Sequence, residues 1–301
     1  MTGASATTPA RLHLVDGTYE LFRAHYSKRP ARHAPDGTDV KATAGLVASL
    51  LGLLDDEAEA VTHLGVAFDN PITSWRNERF ADYKDGSDVD PALQAQFDGA
   101  EAAVAALGVH VWRCVEQEAD DVLAAAALRF TDTVGQVRIL TADKDLAQVV
   151  RGTAIVQVDR RRETVRDEPA VHEKFGVAPA AIPDLLALMG DDADGIPGLP
   201  GFGAKSTATL LAHYGDLEAI PDDAGDWAVA VRGAARLADT LRDRRDDALL
   251  YRELTTLQTD VDLGVDLDGL RFDGVPRTRF EAWCDELGLD RLRARPTRWA
   301  S

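Results

Sequence analysis

Apolar residues recur along this chain in two rhythms, and the change from one to the other divides it. From residue 12 to about 158, short apolar runs alternate with stretches of helical period. The runs are Leu12-His13-Leu14-Val15, Leu64-Gly65-Val66-Ala67-Phe68, Val109-His110-Val111-Trp112, Val137-Arg138-Ile139-Leu140 and Thr153-Ala154-Ile155-Val156-Gln157-Val158. Runs of this length and apolarity read as buried strands, and strands that alternate with helices build a mainly parallel sheet from βαβ units. Lys41–Leu54 carries Leu46, Val47, Leu50, Leu51 and Leu54 at the spacing of one helix face. Pro91 suits a first helical turn, and a second helix is predicted from it through Leu93, Phe97, Val104 and Leu107 to a stop at Gly108. Between Asp69 and Pro91 the polar stretch Asp82-Tyr83-Lys84-Asp85-Gly86-Ser87-Asp88 reads as a loop.

Beyond about residue 165 the strand signal gives way to helices separated by Gly/Pro turns. Leu185-Leu186-Ala187-Leu188-Met189, Ala204–Tyr214, residues 226–257 and residues 279–287 all read as helical. Between the first two lies Gly195-Ile196-Pro197-Gly198-Leu199-Pro200-Gly201-Phe202-Gly203, a dense turn signal. The expected fold class is therefore α/β. A mainly parallel sheet flanked by helices occupies residues 1–167, and a helical subdomain built around a glycine hairpin occupies 168–301.

Charge narrows the function. With 33 Lys and Arg against 51 Asp and Glu, the 301-residue chain has a formal charge of −18. That argues against a protein that coats nucleic acid or anionic membrane by net charge, so any such contact must be local. Basic residues do cluster, at Arg76, Arg79 and Lys84, at Arg160-Arg161-Arg162, and at Arg242, Arg244 and Arg245. Only Cys114 and Cys284 occur, without CxxC spacing, so neither a zinc site nor a disulfide framework is indicated. The seven histidines form no spaced ligand set. Residues 1–9 lack a basic segment followed by an apolar one, and no apolar run approaches a membrane span, which predicts a soluble, cytoplasmic protein.

The acids carry the chemistry. Asp16 and Asp69 directly follow apolar runs, and Asp143 follows another closely. Glu118, Asp120 and Asp121 stand at a helix start, Asp145 lies two residues past Asp143, and Asp191 and Asp194 precede the glycine hairpin. In an open parallel sheet the carboxyl ends of the strands form the ligand crevice. Any one of these acids alone is an ordinary turn former or helix cap. Gathered in one crevice, two carboxylates about 5 Å apart repel by on the order of 3 kcal/mol at an effective dielectric near 20, so the group needs cations or raised pKa values. Oxygen-only ligation points to a hard ion, Mg²⁺ or Mn²⁺. Two such ions offer about 12 coordination positions, several kept by water or substrate, so some of the acids must act through bound water. Asp143 and Asp145 reach one side together if the chain is extended there.

The glycine segment nearly spells a nucleotide-binding loop, since Gly198 and Gly203 have the right separation. Ala204 intervenes before Lys205-Ser206, however, and a helix precedes the segment where a strand is required. The better reading is a hairpin whose amides at Gly198, Gly201 and Gly203 meet a nucleic-acid phosphate, with Lys205 and Ser206 at the following helix start.

Val15-Asp16-Gly17, Phe68-Asp69, Tyr83-Lys84, Glu118-Ala119-Asp120-Asp121, Thr141-Ala142-Asp143-Lys144-Asp145 and Gly190-Asp191-Asp192-Ala193-Asp194-Gly195-Ile196-Pro197-Gly198 follow one another in a telling order. In that order and spacing the chain resembles the bacterial branch of the flap endonuclease/5′-3′ exonuclease family, from about Leu12 to Leu257. The resemblance implies a PIN-like core, a helical arch at about residues 76–107, and a helix-hairpin-helix module that grips duplex DNA and can hold K⁺ through backbone carbonyls. It implies Asp16, Asp69, Glu118 and Asp120 around one ion, Asp143, Asp145 and Asp191 around or near a second, and Asp121 and Asp194 acting through water or at a third. Arg76 and Lys84 match basic residues that contact the scissile phosphate, and Arg23 matches one near the incoming strand. The implied activity is that of a metal-dependent 5′ nuclease, a monomer acting on DNA flaps, nicks and 5′ ends and on RNA primer segments, associated with the nucleoid. Two departures stand out: Ser87 replaces a further arch arginine, and Gly195 replaces an asparagine. A non-catalytic junction binder and a PIN-type ribonuclease are the rival readings.

Overall fold

A computed structural model describes residues 10–301, so the leader expectation for residues 1–9 falls outside it. Six strands, β1 (Arg11–Asp16), β2 (His63–Asp69), β3 (His110–Cys114), β4 (Gln136–Leu140), β5 (Ile155–Asp159) and β6 (Thr164–Arg166), form one sheet in the order β3-β2-β1-β4-β5-β6. The first five are parallel, and β6 pairs antiparallel with β5. Chain order runs outward from β1 to β3 and then returns to β4 on the other side of β1. Strand order thus reverses between β1 and β4, where an open α/β sheet offers its crevice.

The helices of the sheet half are α1 (Gly17–His25), α2 (Lys41–Leu54), α3 (Trp75–Arg79), α4 (Pro91–Gln94), α5 (Phe97–Ala106) and α6 (Ala119–Phe130). Val15 faces a core shared with α1, α2 and α5, while Leu12 and Leu14 face the opposite layer with α6, as the two-residue period of a strand requires. The helical half comprises α7 (Glu168–Phe175), α8 (Ile182–Met189), α9 (Ala204–Tyr214), α10 (Ala234–Asp243) and α11 (Arg245–Thr255), with a separate core around Leu186, Leu210, Leu241 and Leu254. The chain then returns. Trp112 Nε1 donates to the Leu263 carbonyl at 2.9 Å, and α12 (Arg277–Glu286) and α13 (Asp290–Arg293) place Phe280, Cys284 and Leu292 in the core of α2 and α5.

Two expected helices are each two. The helix from Pro91 breaks after Gln94 because Gln96 turns inward, where its Oε1 accepts from the Ala42 and Thr43 amides at 3.0 and 3.2 Å. Those donors at the start of α2 have no cap from their own segment. In the 226–257 stretch, Gly233 precedes α10 with φ +77° and Arg244 leaves helical geometry between α10 and α11. Among the described residues no helix is long and apolar enough to cross a membrane.

Candidate metal centre

Each acid is placed by an element end. Asp16 closes β1 and caps α1, accepting from the Tyr19 amide at 2.8 Å and from the Thr141 hydroxyl at 2.9 Å. Asp69 closes β2 and accepts from the Ala119 amide at 2.7 Å, so the positive end of α6 faces it. Glu118 caps α6, and Asp120 lies in its first turn. Asp143 follows β4 in the turn that Thr141 braces, and Asp191 and Asp194 sit in the tight turn after α8, where the Asp191 and Ile196 backbones exchange bonds of 2.7 and 2.8 Å.

The structure brings most of the sequence-predicted acids together. A cleft of about 340 Å³ at the carboxyl ends of β1 and β4 is lined by Asp16, Asp69, Asp120, Asp143 and Asp194, together with Lys84 and with Tyr19, Phe22, Ile72 and Val89. Carboxylate oxygens of Asp145, Asp191 and Asp194 lie within 4.8 Å of one another. Asp194 belongs to both groups and joins them. The chain at Asp143 and Asp145 is not extended: Lys144 is helical and Asp145 opens a 3-10 turn, its amide donating to Asp143 Oδ1 at 3.0 Å. The two side chains therefore serve neighbouring parts of the cluster.

Asp121 and Arg76 stand elsewhere. Both Asp121 oxygens receive the Arg76 guanidinium at 2.8 Å, and they also accept from the Glu118 and Gln258 amides at 3.0 and 2.8 Å, which leaves no free lone pair directed at an ion. Arg76 is 1% exposed, and its remaining bonds go to the Leu254 and Thr256 carbonyls at 2.7 and 3.3 Å. It clamps α3 to the end of α11 and lies 3.4 Å from Glu118 Oε1, but it is not among the residues that line the cleft. Arg23 pairs with Glu20 and bonds Ser49 Oγ at 2.9 Å, also away from the cleft lining. In the hairpin, Gly203 caps α9, and Ser206 Oγ accepts from the Gly203 amide at 3.1 Å; Gly198 packs against the Gly190 backbone, while Gly201 and Lys205 are exposed.

Burial is the first cause that pushes Asp16 up to about 7, and the Asp69 and Asp143 charges add to it. Asp194 is raised to about 6 for the same first reason, with Asp191 and Asp143 adding, and Asp69, Asp120 and Asp145 are raised as well. Glu118 goes the other way: burial opposes its charge, but Lys84 and Arg76 outweigh burial and hold it low. Lys84 Nζ lies 3.1 Å from Glu118 Oε2 and 2.9 Å from Asp194 Oδ1, which keeps the ammonium charged despite burial. Asp145 Oδ1 is buried with no hydrogen-bond partner. An orphaned carboxylate oxygen beside two further acids, with no histidine or cysteine among them, fits a hard divalent cation.

A stability test follows from these directions. The folded-state values stand above those of the unfolded chain, so folding takes up protons: this contribution is complete below about pH 4 and is lost as pH rises through 6 and 7, at about 1.4 kcal/mol per pH unit per group. In EDTA the melting temperature is expected to fall between pH 5 and pH 8, and millimolar Mn²⁺ to restore it more at pH 8 than at pH 5. Calorimetry with equal shifts at both pH values counts against the site.

Tyr83 and Thr141 stand in the motifs quoted above without a role of their own, and Ser74 stands in none of them. Ser74 Oγ and Tyr83 Oη donate to Glu118 at 2.8 and 3.2 Å. Nothing in their local pattern separates such side chains from ordinary caps and core aromatics. Gly195 has a reason visible only in three dimensions: its φ is +75°, and a Cβ there would overlap the Asp82 carbonyl oxygen. The Lys84 amide donates to the Asp194 carbonyl at 3.1 Å in the same contact. Gly195→Ala is expected to cost about 1–3 kcal/mol, read as a lower melting temperature; a variant that melts with wild type would show the contact to be slack.

Comparison with known proteins agrees with this architecture. The profile of the 5′-3′ exonuclease N-terminal resolvase-like domain matches residues 11–176, and that of the 5′-3′ exonuclease C-terminal SAM fold matches 177–278. This chain belongs to the 5′-3′ exonuclease family. It is 33% identical to DNA polymerase I of Bacillus caldotenax over 285 residues, covering 93% of this chain and 31% of that protein. To DNA polymerase I of Pseudomonas aeruginosa it is 36% identical over 298 residues, covering 92% and 31%. The chain thus spans about a third of the length of these relatives. Among solved structures it shares its fold with the 5′-exonuclease of bacteriophage T5 holding divalent zinc ions, at a TM-score of 0.65 and 18% identity over 92% of this chain and 99% of that one. The catalytic core of Rad2 in complex with a DNA substrate gives 0.62 and 15%, over 95% and 91%.

Proposed function

We propose that this chain is a structure-selective 5′ nuclease that hydrolyses phosphodiesters in DNA flaps, nicks and 5′ ends, leaving 5′-phosphates, with Mg²⁺ or Mn²⁺ as its metal. One observation carries the reading: acids from the ends of β1 and β2, the start of α6, the turn after β4 and the turn after α8 converge on one cleft that Lys84 also lines, paired with Glu118 and Asp194. Asp16, Asp69, Glu118 and Asp120 would hold one cation and Asp143, Asp145, Asp191 and Asp194 the other. Divalent cations held there would supply an activated water at neutral pH and positive charge for the leaving oxygen. The rest is done by the chain. Lys84 meets the negative charge that develops on the scissile phosphate, the apolar wall of Phe22, Ile72 and Val89 limits water on one side, and the hairpin at Gly198, Gly201 and Gly203 with Lys205 holds duplex through its backbone without reading sequence.

The test compares a 5′-labelled flap, a nicked duplex and single-stranded RNA, each with Mg²⁺ and with Mn²⁺. Cutting near the flap junction or stepwise release from the nick is expected. Binding of the flap without cleavage in either metal would identify a junction-binding protein instead, and cleavage confined to RNA a PIN-type ribonuclease. Lys84→Met is expected to slow single-turnover cleavage by roughly 10²-fold while flap binding in Ca²⁺ changes little. Equal losses in binding and rate would reduce Lys84 to a surface contact.

A further inference from the structure

Lys144 stands between two sites. Its Nζ lies 2.6 Å from Asp191 Oδ2, and the same side chain lines a second depression of about 340 Å³ with Tyr19, Ala142, Asp143 and Lys174. That depression shares Tyr19 and Asp143 with the carboxylate cleft, so a strand leaving one enters the other. Its lining sets two lysines against one acid, Asp143. Lys174 forms no ion pair among the described residues, and its ammonium lies 4.5 Å over the Phe175 ring. Burial, Arg166 and Arg162 oppose that ammonium's charge and outweigh Asp159, which favours it. Burial and Asp159 keep the Tyr19 hydroxyl protonated, so it remains able to donate.

We propose that Lys144, Lys174 and the Tyr19 hydroxyl form a phosphodiester-binding subsite next to the cleavage position, and that the Lys144 ammonium, whose side chain already lines it, is released into it only when a divalent cation takes Asp191. This rests on the nuclease reading above. In the metal-free protein the Lys144 ammonium is the counter-ion of Asp191. A doubly charged ion on that carboxylate removes its partner and repels it, and its flexible stem lets it turn toward the adjoining depression. A phosphate there gains a second lysine. Metal loading and strand binding then strengthen each other, as linkage requires of two ligands that favour one arrangement.

The test uses the full chain and two readouts apart from turnover. Calorimetric titration with Mn²⁺ is expected to show Lys144→Met binding the ion several-fold more tightly than wild type, because the competing internal cation is gone. Binding of a nicked flap across a salt series in Ca²⁺ is expected to show Lys144→Met and Lys174→Met each with a salt slope lower by about 0.7–0.9, one phosphate contact apiece. In EDTA only Lys174→Met should differ from wild type, and Lys144→Arg should recover the slope in Ca²⁺. Unchanged Mn²⁺ affinity in Lys144→Met, or Ca²⁺ slopes equal to wild type in both variants, overturns the proposal. Lys174→Met carries the subsite arm by itself if Lys144→Met does not fold. Wild type is assayed for flap cleavage alongside: no cleavage defeats the nuclease reading, whereas cleavage with unchanged slopes defeats the subsite alone.

Discussion

Asp145→Asn is expected to lose about 10³-fold or more in single-turnover cleavage with Mg²⁺ while melting higher than wild type in EDTA. The two effects share one cause. Asp145 is buried, one of its oxygens has no hydrogen-bond partner, and the Asp143, Asp194 and Asp191 charges surround it. An amide of the same shape removes a charge that folding strains to keep, so the metal-free protein gains stability. It also removes an anionic ligand, and several kcal/mol of lost transition-state stabilisation is about three factors of ten in rate. At this chain length each kcal/mol moves the melting temperature by roughly 2–4 °C, which calorimetry resolves. Near-normal cleavage, or a lower melting temperature in EDTA, would place Asp145 outside the metal centre.

The Arg76–Asp121 pair predicts the reverse pattern. Arg76→Met is expected to destabilise the fold by about 3–5 kcal/mol, because it leaves a fully buried carboxylate without its partner and two carbonyls without a donor. Denaturant unfolding measures the loss, and adding Asp121→Leu to Arg76→Met is expected to recover much of it, since the two side chains form one unit. A stable Arg76→Met variant that fails only in cleavage would return Arg76 to the phosphate.

What the sequence disclosed followed local rules. The helices Lys41–Leu54 and Ala204–Tyr214 were legible to the residue because their apolar faces and stops are written locally, and strand ends announced Asp16 and Asp69. The break before Gln96 was not, because it depends on donors fifty residues away at the start of α2. Nor could spacing separate Asp120 from Asp121: successive positions on α6 point apart, one into the cleft and the other into Arg76. The antiparallel strand β6 escaped notice because three residues are too few to show a period.

The contact between Gly195 and Asp82 bears on how such a chain could be cut and recombined. The segment carrying Lys84 belongs to the first half by sequence, yet its backbone is fastened to the turn that presents Asp194, and Arg79 and Phe80 beside it meet Glu253 and Tyr251 of α11. A fragment ended near residue 176 would keep most of the sheet's acids but lose Asp191, Asp194 and the surface that aims the lysine. Exchange of either half between relatives should therefore succeed only when both sides of this seam travel together, and a library of chimaeras would find its viable crossover points on the faces remote from it.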